Sequence, residues 1–315
     1  MSELLPDRKA IDMTKIPKPL HGVIPPMMTP LDKNENIDEA GTKRLIERCI
    51  NGGVSGIFIL GTMGEGQSLI DREKKKFIKI SHDAVAGRVP LFAGVSAESH
   101  RKVMKNVENA IEAGADYIVV LPPYFFYASC RDEIIKYYKD IAKYSSIPLV
   151  IYNNPVMTGN KIDLDAFKEL SEEKNIVGVK NSSGDFDFHM MLLREFENRN
   201  DFSVFSGVET MCDASMMMGS DGIVAGMASL TPEIFVALYN AAIAGDFKEA
   251  REIQKKLLEI MNGIYLDGYF AWQIGQKYAL SLLGVCEPYH STETRDLTAA
   301  EKLRIAETLK KFNIK

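Results

Sequence analysis

The chain has 315 residues, 46% hydrophobic and 26% charged, an ordinary globular composition that excludes a disordered or fibrous protein. Its 38 basic and 43 acidic side chains give a net charge of −5 with no long basic run, so no nucleic-acid partner is expected. The four cysteines (Cys49, Cys130, Cys212 and Cys286) lie far apart and the five histidines lack His-Glu-x-x-His spacing, so reduced thiols and no metal or other cofactor are expected.

In chain order, residues 1–20 come first, an expected arm with prolines at Pro6, Pro17 and Pro19. Its opening, MSELLPDRKA, is too polar for a signal peptide, and no later stretch nears the roughly 20 apolar residues of a membrane span. A cytoplasmic protein with no membrane partner is therefore expected. From His21 to about Asn240, short apolar runs alternate with segments of helical period. The runs begin at Gly22 (GVIPPMMTP), Ser55 (SGIFILG), Pro90 (PLFAGVS) and Asp116 (DYIVVLPP). Four more begin at Ile147 (IPLVIYNN), Asn175 (NIVGVKNSS), Phe202 (FSVFSGV) and Asp221 (DGIVAGMA). Continuous apolar strands of this kind suit a parallel sheet covered on both faces.

Between the runs, Thr42–Cys49, Arg72–Ala86, His100–Ala113 and Arg131–Tyr144 place apolar residues three or four apart, as helices do. Small-residue joints (NGGVSG, EAGAD, MGSDG) supply glycine where each helix must stop. Eight such units predict a (β/α)8 TIM barrel over residues 21–240. A doubly wound open sheet is the runner-up, disfavoured because no early Gly-x-Gly-x-x-Gly turn is present. Helical period continues through Phe247–Met261, Trp272–Leu283 and Ala299–Phe312, which predicts a C-terminal helical domain over 241–315, packed on the barrel.

The catalytic face of such a barrel lies at the C-terminal ends of its strands. Here those ends read GTMGEG (Gly61–Gly66), PPYFFY (Pro122–Tyr127), IYNNPVMTG (Ile151–Gly159), VKNSSGD (Val179–Asp185) and SGVET (Ser206–Thr210). Lys180 closes the apolar run IVGV inside a strand, where an ammonium is costly. With a pKa of ~10.4 only about one lysine in 2,500 is neutral at pH 7, but a desolvated lysine supplies the free amine that attacks a ketone to give an imine. A strand-end lysine that reaches water, or pairs with a carboxylate, fits the same position. Tyr152 ends the adjacent strand, as either a proton shuttle beside that lysine or a core tyrosine with its hydroxyl satisfied. The turn at Thr62 either cradles a carboxylate on its N–H groups or simply joins a strand to a helix, with Glu65 supporting the helix start.

Three motifs, GTMGE (Gly61–Glu65), YNNPVMTG (Tyr152–Gly159) and VGVKNSSGD (Val177–Asp185), resemble those of the dihydrodipicolinate synthase / N-acetylneuraminate lyase family of Schiff-base aldolases. The resemblance spans nearly the whole chain. It implies that Lys180 forms the Schiff base with pyruvate or a similar 2-oxo acid, that Tyr152 relays protons, and that Thr62 serves the relay or the carboxylate pocket. It also implies a homotetramer, an aldehyde as second substrate, and a substrate pocket at Gly61, Met63, Met157, Gly207, Glu209, Thr210 and Val224.

Departures from the family pattern bear on the substrate. Met63 replaces a second hydroxyl residue in the turn, Met157 stands where the synthases carry an arginine, and Tyr124-Phe125 replaces a tyrosine pair. After Gly207 only Glu209 of an acidic pair remains, followed by Thr210. This pattern favours a 2-keto-3-deoxy sugar acid, made from or cleaved to pyruvate and an aldehyde. The alternatives are 4-hydroxy-tetrahydrodipicolinate synthase, N-acetylneuraminate lyase and a sugar-acid dehydratase. A catalytically silent sugar-acid binding subunit is the alternative outside enzymes, and the presence of both Lys180 and Tyr152 argues against it.

Overall fold

Each of the eight apolar runs forms a parallel strand in the computed structural model, which describes residues 20–125, 128, 130–267 and 271–315. The arm expected over 1–20 lies outside the described residues except for Leu20, as do Phe126 and Tyr127 at the end of PPYFFY. The strands are β1 (Gly22–Val23), β2 (Ile57–Ile59), β3 (Leu91–Gly94), β4 (Tyr117–Val120), β5 (Leu149–Asn153), β6 (Ile176–Asn181), β7 (Ser203–Ser206) and β8 (Gly222–Ile223). Their order around the sheet is β1-β8-β7-β6-β5-β4-β3-β2. A parallel bridge between Pro26 and Phe58 joins the two ends. There the Ser55 N–H donates to Val23 O (2.8 Å) and the Phe58 N–H to Pro25 O (3.1 Å), closing the ring. The expected (β/α)8 barrel is the architecture, and closure leaves no unpaired sheet edge.

The helices follow the apolar period with shifts of a few residues at their ends. Thr42–Cys49 extends to Glu39–Asn51, where Asp38 caps the first turn by accepting from the Gly41 N–H. His100–Ala113 and Arg131–Tyr144 form over the expected spans. Gly114, at φ 94°, takes the left-handed conformation that ends the first of these before β4. Among the described residues no helix is long and apolar enough to cross a membrane.

Alternation along each strand divides the apolar side chains into two layers. The inner layer fills the barrel with Ile24, Phe58, Phe92, Tyr117, Val119, Val150, Val177, Phe205 and Val224. The outer layer packs strands against helices, and it continues without a break into the C-terminal helices through Leu257, Ile260, Leu280 and Ile305. Those helices are Phe247–Ile264, Ala271–Leu282 and Ala299–Lys311. The last begins with a capping box in which Thr298 and Glu301 satisfy each other's backbone N–H groups.

One irregularity decides which side chains of β6 face the interior. Ile176 of β6 pairs with Leu149 of β5, but the next pair is Gly178 with Val150, so Val177 is an extra residue. Strict alternation from Ile176, which faces the helices, would turn Val179 inward and Lys180 outward. The bulge shifts the phase by one residue, so Val179 faces the helices and Lys180 enters the barrel beside Phe205. The bulge requires glycine at 178, because a Cβ there would lie 2.6 Å from the carbonyl oxygen of Ser203. Gly178→Ala is therefore expected to force β6 away from β7 and destabilise the protein by about 1–3 kcal/mol, the usual cost of overpacking. An unchanged urea midpoint would show that the bulge tolerates a side chain.

Candidate active site

Lys180 is 5% exposed, and its ammonium lies 4.0 Å from the ring centroid of Tyr152 and 5.2 Å from that of Phe58. Neither reaching water nor pairing with a carboxylate describes it, since no acidic group among the described residues lies within ion-pair distance. Cation–π contact with the two ring faces offsets part of the desolvation. Its stem passes so close to β7 that a Cβ at Gly207 would lie 3.1 Å from Lys180 Cε and 2.0 Å from Ser182 Oγ. Gly207 is thus required for clearance.

Tyr152, paired with Lys180 across β5 and β6, faces the same interior. Its hydroxyl is 3.3 Å from Thr62 Oγ1 and accepts from Asn154 Nδ2 at 3.2 Å. Burial alone would raise the phenol's pKa, but the Lys180 ammonium and the hydrogen bonds with Thr62 and Asn154 outweigh it and hold the phenol below its ordinary value. A phenol so placed gives up its proton more readily than a free tyrosine.

The Thr62 turn departs from plain strand-to-helix geometry. Leu60 (φ 59°) and Glu65 (φ 54°) are both left-handed, a conformation that costs a residue with a side chain roughly 1–2 kcal/mol. Gly66 and Gly94 make room for it, as a Cβ on either would lie within 2.2 Å of Leu60 O. Thr29 Oγ1 donates to Gly64 O (2.5 Å), and the Glu65 N–H donates to Thr62 O (3.2 Å). The N–H groups of Thr62 and Met63 find no acceptor among the described residues, so they are available to a carboxylate.

Lys180, Tyr152 and Thr62 converge on a cavity of about 380 Å³. Met63, Met157, Gly207, Glu209, Thr210 and Val224 line it as well. Gly61 stands behind the wall, where a Cβ would strike the Phe58 ring at 2.8 Å. Met157 sits in a short helical turn, Pro155–Thr158, capped by Asn154. Thr210 is exposed at the rim.

Glu209 requires a correction. The expected free acceptor for sugar hydroxyls is already engaged, because Tyr265 donates its hydroxyl to the carboxylate (2.9 and 3.1 Å) and the Met227 N–H donates to Oε1 (2.5 Å). Burial raises its carboxyl pKa against the opposing pull of Met227, Tyr265 and Lys180, so the wall here tends toward the uncharged acid. Phe125, where a tyrosine was expected by resemblance, is 76% exposed with φ 72°.

The helical extension contributes groups that the motif reading missed. Met261, Tyr265 and Trp272 line the cavity, and Gln273 Nε2 donates to Thr62 O at 3.4 Å. Lys277, 0% exposed, donates to Glu65 Oε1 at 2.6 Å. Ser291 donates to Glu65 Oε2 from its N–H (2.7 Å) and its hydroxyl (2.9 Å), and His290 Nδ1 lies 3.5 Å from Oε1. Glu65 therefore ties the turn to the extension rather than supporting a helix start. The available signal was the polar trio Gln273, Gln276 and Lys277 within an otherwise apolar helix.

Comparison with known proteins bears on the family and the fold. The model of the dihydrodipicolinate synthetase family matches residues 19–311. A 4-hydroxy-tetrahydrodipicolinate synthase from Methanothermobacter thermautotrophicus is 33% identical over 267 residues, covering 84% of this chain and 93% of that one. The structure of a dihydrodipicolinate synthase from Bacteroides thetaiotaomicron superposes with a TM-score of 0.90 at 34% identity, covering 94% of this chain and all of that one. A prophage protein of the same family from E. coli K12, solved in complex with pyruvate, superposes with a TM-score of 0.87 at 27% identity and covers 94% of this chain and 99% of its own.

The Glu65 cluster predicts an acid sensitivity. Burial would raise the Glu65 carboxyl, but Lys277 and His290 override it and bring the pKa from 4.5 to about 2. A depressed folded-state pKa stabilises the protein fully above about pH 5, and this stability fades as pH falls toward 2, by roughly 3 kcal/mol at most. The gap in urea midpoint between the unaltered protein and Glu65→Gln should therefore narrow between pH 6 and pH 3. An equal gap at both values would contradict a charged Glu65 in the fold.

Proposed function

This chain belongs to the dihydrodipicolinate synthetase family, whose members are Schiff-base lyases, and from that premise we propose that Lys180 captures pyruvate as an imine and joins it to an aldehyde. The observation that carries the proposal is the buried Lys180 side chain, without an ion-pair partner among the described residues, over the Tyr152 ring, with the Tyr152 hydroxyl bonded to Thr62 in the cavity. The free amine adds to the ketone carbon of pyruvate, and Tyr152 protonates the departing oxygen so that water leaves and the imine forms. The imine nitrogen then draws electrons from the neighbouring methyl carbon, which loses a proton to become an enamine. Attack of that enamine on the aldehyde carbon forms the new carbon–carbon bond. Hydrolysis returns the amine, and the reverse sequence cleaves. The N–H groups of Thr62 and Met63 are placed to hold the pyruvate carboxylate. A homotetramer in the cytoplasm, with residues 21–240 as the catalytic barrel and 241–315 as the helical domain, belongs to the same reading.

Borohydride with pyruvate should add a fixed mass to the peptide containing Lys180 and leave Lys180→Ala unlabelled. In the same assay Tyr152→Phe should form the imine more slowly and lose about 10²–10⁴-fold in kcat. Labelling of Lys180→Ala would move the imine to another lysine.

For the aldehyde, relatives named 4-hydroxy-tetrahydrodipicolinate synthase favour aspartate semialdehyde over the sugar-acid chemistry first expected. The engaged carboxylate of Glu209 weakens the sugar-acid reading in the same direction. That reading keeps one observation of its own, since Lys180 is the only Lys or Arg among the described residues lining the cavity and Met157 adds no charge. A direct comparison decides. With pyruvate fixed, kcat/KM for aspartate semialdehyde should exceed that for glyceraldehyde or longer sugar aldehydes. Met157→Arg should lower KM for the semialdehyde by about tenfold or more, as a charged hydrogen bond is worth roughly 1.5–3 kcal/mol. A tenfold preference for the sugar aldehydes would restore the 2-keto-3-deoxy acid as substrate.

A further inference from the structure

We propose that the buried ion pair between Glu65 and Lys277 is a positioning device through which the C-terminal extension sets the place of Thr62 in the reaction. The proposal rests on the imine reading of Lys180.

Leu60 and Glu65, both left-handed without being glycine, bracket Thr62, so the turn holds a conformation its own backbone disfavours. Something outside the turn must hold it. Glu65 is the one strained residue there with a charged side chain, and its carboxylate receives Lys277 Nζ together with the N–H and hydroxyl of Ser291. Gln273, one helical turn before Lys277, reaches the carbonyl of Thr62 itself. Two side chains four residues apart on one helix thus grip the turn at both ends.

Lys277 does not line the cavity, so it acts on the reaction indirectly, and its direct bond to Glu65 leads into the turn. The Thr62 contact with Tyr152 is 3.3 Å, near the upper limit for a hydroxyl hydrogen bond, so a small outward drift of the turn breaks it. Stability alone is a poor account of the pair. A buried ion pair adds little over well-packed apolar side chains, whereas its directional bonds fix one geometry.

The test is a double-mutant cycle in the full chain, reading kcat for pyruvate condensation with borohydride labelling alongside. Lys277→Met should lower kcat by about 10–100-fold, the scale of a misplacement near 1 Å. Thr62→Val combined with Lys277→Met should be no slower than Thr62→Val alone, and Lys277→Arg, which keeps the charge, should recover most of the rate. If Lys277→Met does not fold, Ser291→Ala removes one donor to Glu65 and leaves the ion pair. It should slow the enzyme a few-fold, and only while Thr62 is present. Equal losses with and without the Thr62 hydroxyl, or an unchanged kcat in Lys277→Met, would overturn the proposal. Absence of label in the unaltered protein would instead overturn the imine reading beneath it.

Discussion

An ammonium ion lodged in the apolar interior of a barrel is the constraint from which the arrangement of this site follows. Removing such a charge from water costs several kcal/mol even after relaxation, and among the described residues no carboxylate lies within ion-pair distance of it, Glu209 acting only from farther off. The ring faces of Tyr152 and Phe58 return part of that cost. The imine chemistry proposed for Lys180 needs its amine held where a ketone can reach it, and this packing fixes it there. The same charge draws the buried Tyr152 phenol toward ionisation. One unfavourable burial therefore brings together the proposed nucleophile and the proposed proton carrier.

Strand geometry supplies the means. The extra residue at Val177 turns Lys180 inward, Gly178 lets β6 stay paired with β7, and Gly207 leaves room for the lysine stem. All three concern where the backbone can approach, and none touches the reacting atoms. The extension then closes the open side, adding Met261, Tyr265 and Trp272 to the wall and engaging Glu209 and Glu65 from behind. Its outer apolar layer is continuous with that of the barrel, so the wall is as firmly packed as the strands that carry Lys180.

How far the chain could be read before its structure was seen depended on whether a feature was local. The eight strands and the barrel were legible because each apolar run and each helical period is complete within about fifteen residues. Lys180 and Tyr152 stood out as candidates because a charge and a phenol are conspicuous in apolar runs, and their burial side by side is what the structure adds. The bulge was not, since IVGVKN reads as regular alternation and only pairing with β5 reveals the extra residue. The tie between Glu65 and Lys277 was hidden for the same reason, as its partners are 212 positions apart. Glu209 was misread because the sequence shows a carboxylate but not the tyrosine that occupies it, 56 residues away.

That misreading bears on how selectivity arises in this site. A carboxylate in a cavity wall is an open acceptor only if its lone pairs are unused and its charge is kept. Tyr265 and the Met227 N–H use them, and burial works against the charge. Met157 adds no charge to the same cavity. Burial thus works against charge at Glu209, while Lys180 and the N–H groups of the Thr62 turn, which find no acceptor among the described residues, favour an anion. In the proposed reaction a 2-oxo acid would be held by these groups, and the aldehyde chosen beside it by shape and a few hydrogen bonds. Changes at Met157, Glu209 or Trp272 can therefore alter the aldehyde without disturbing the imine, because the groups that form it stand on different strands and turns.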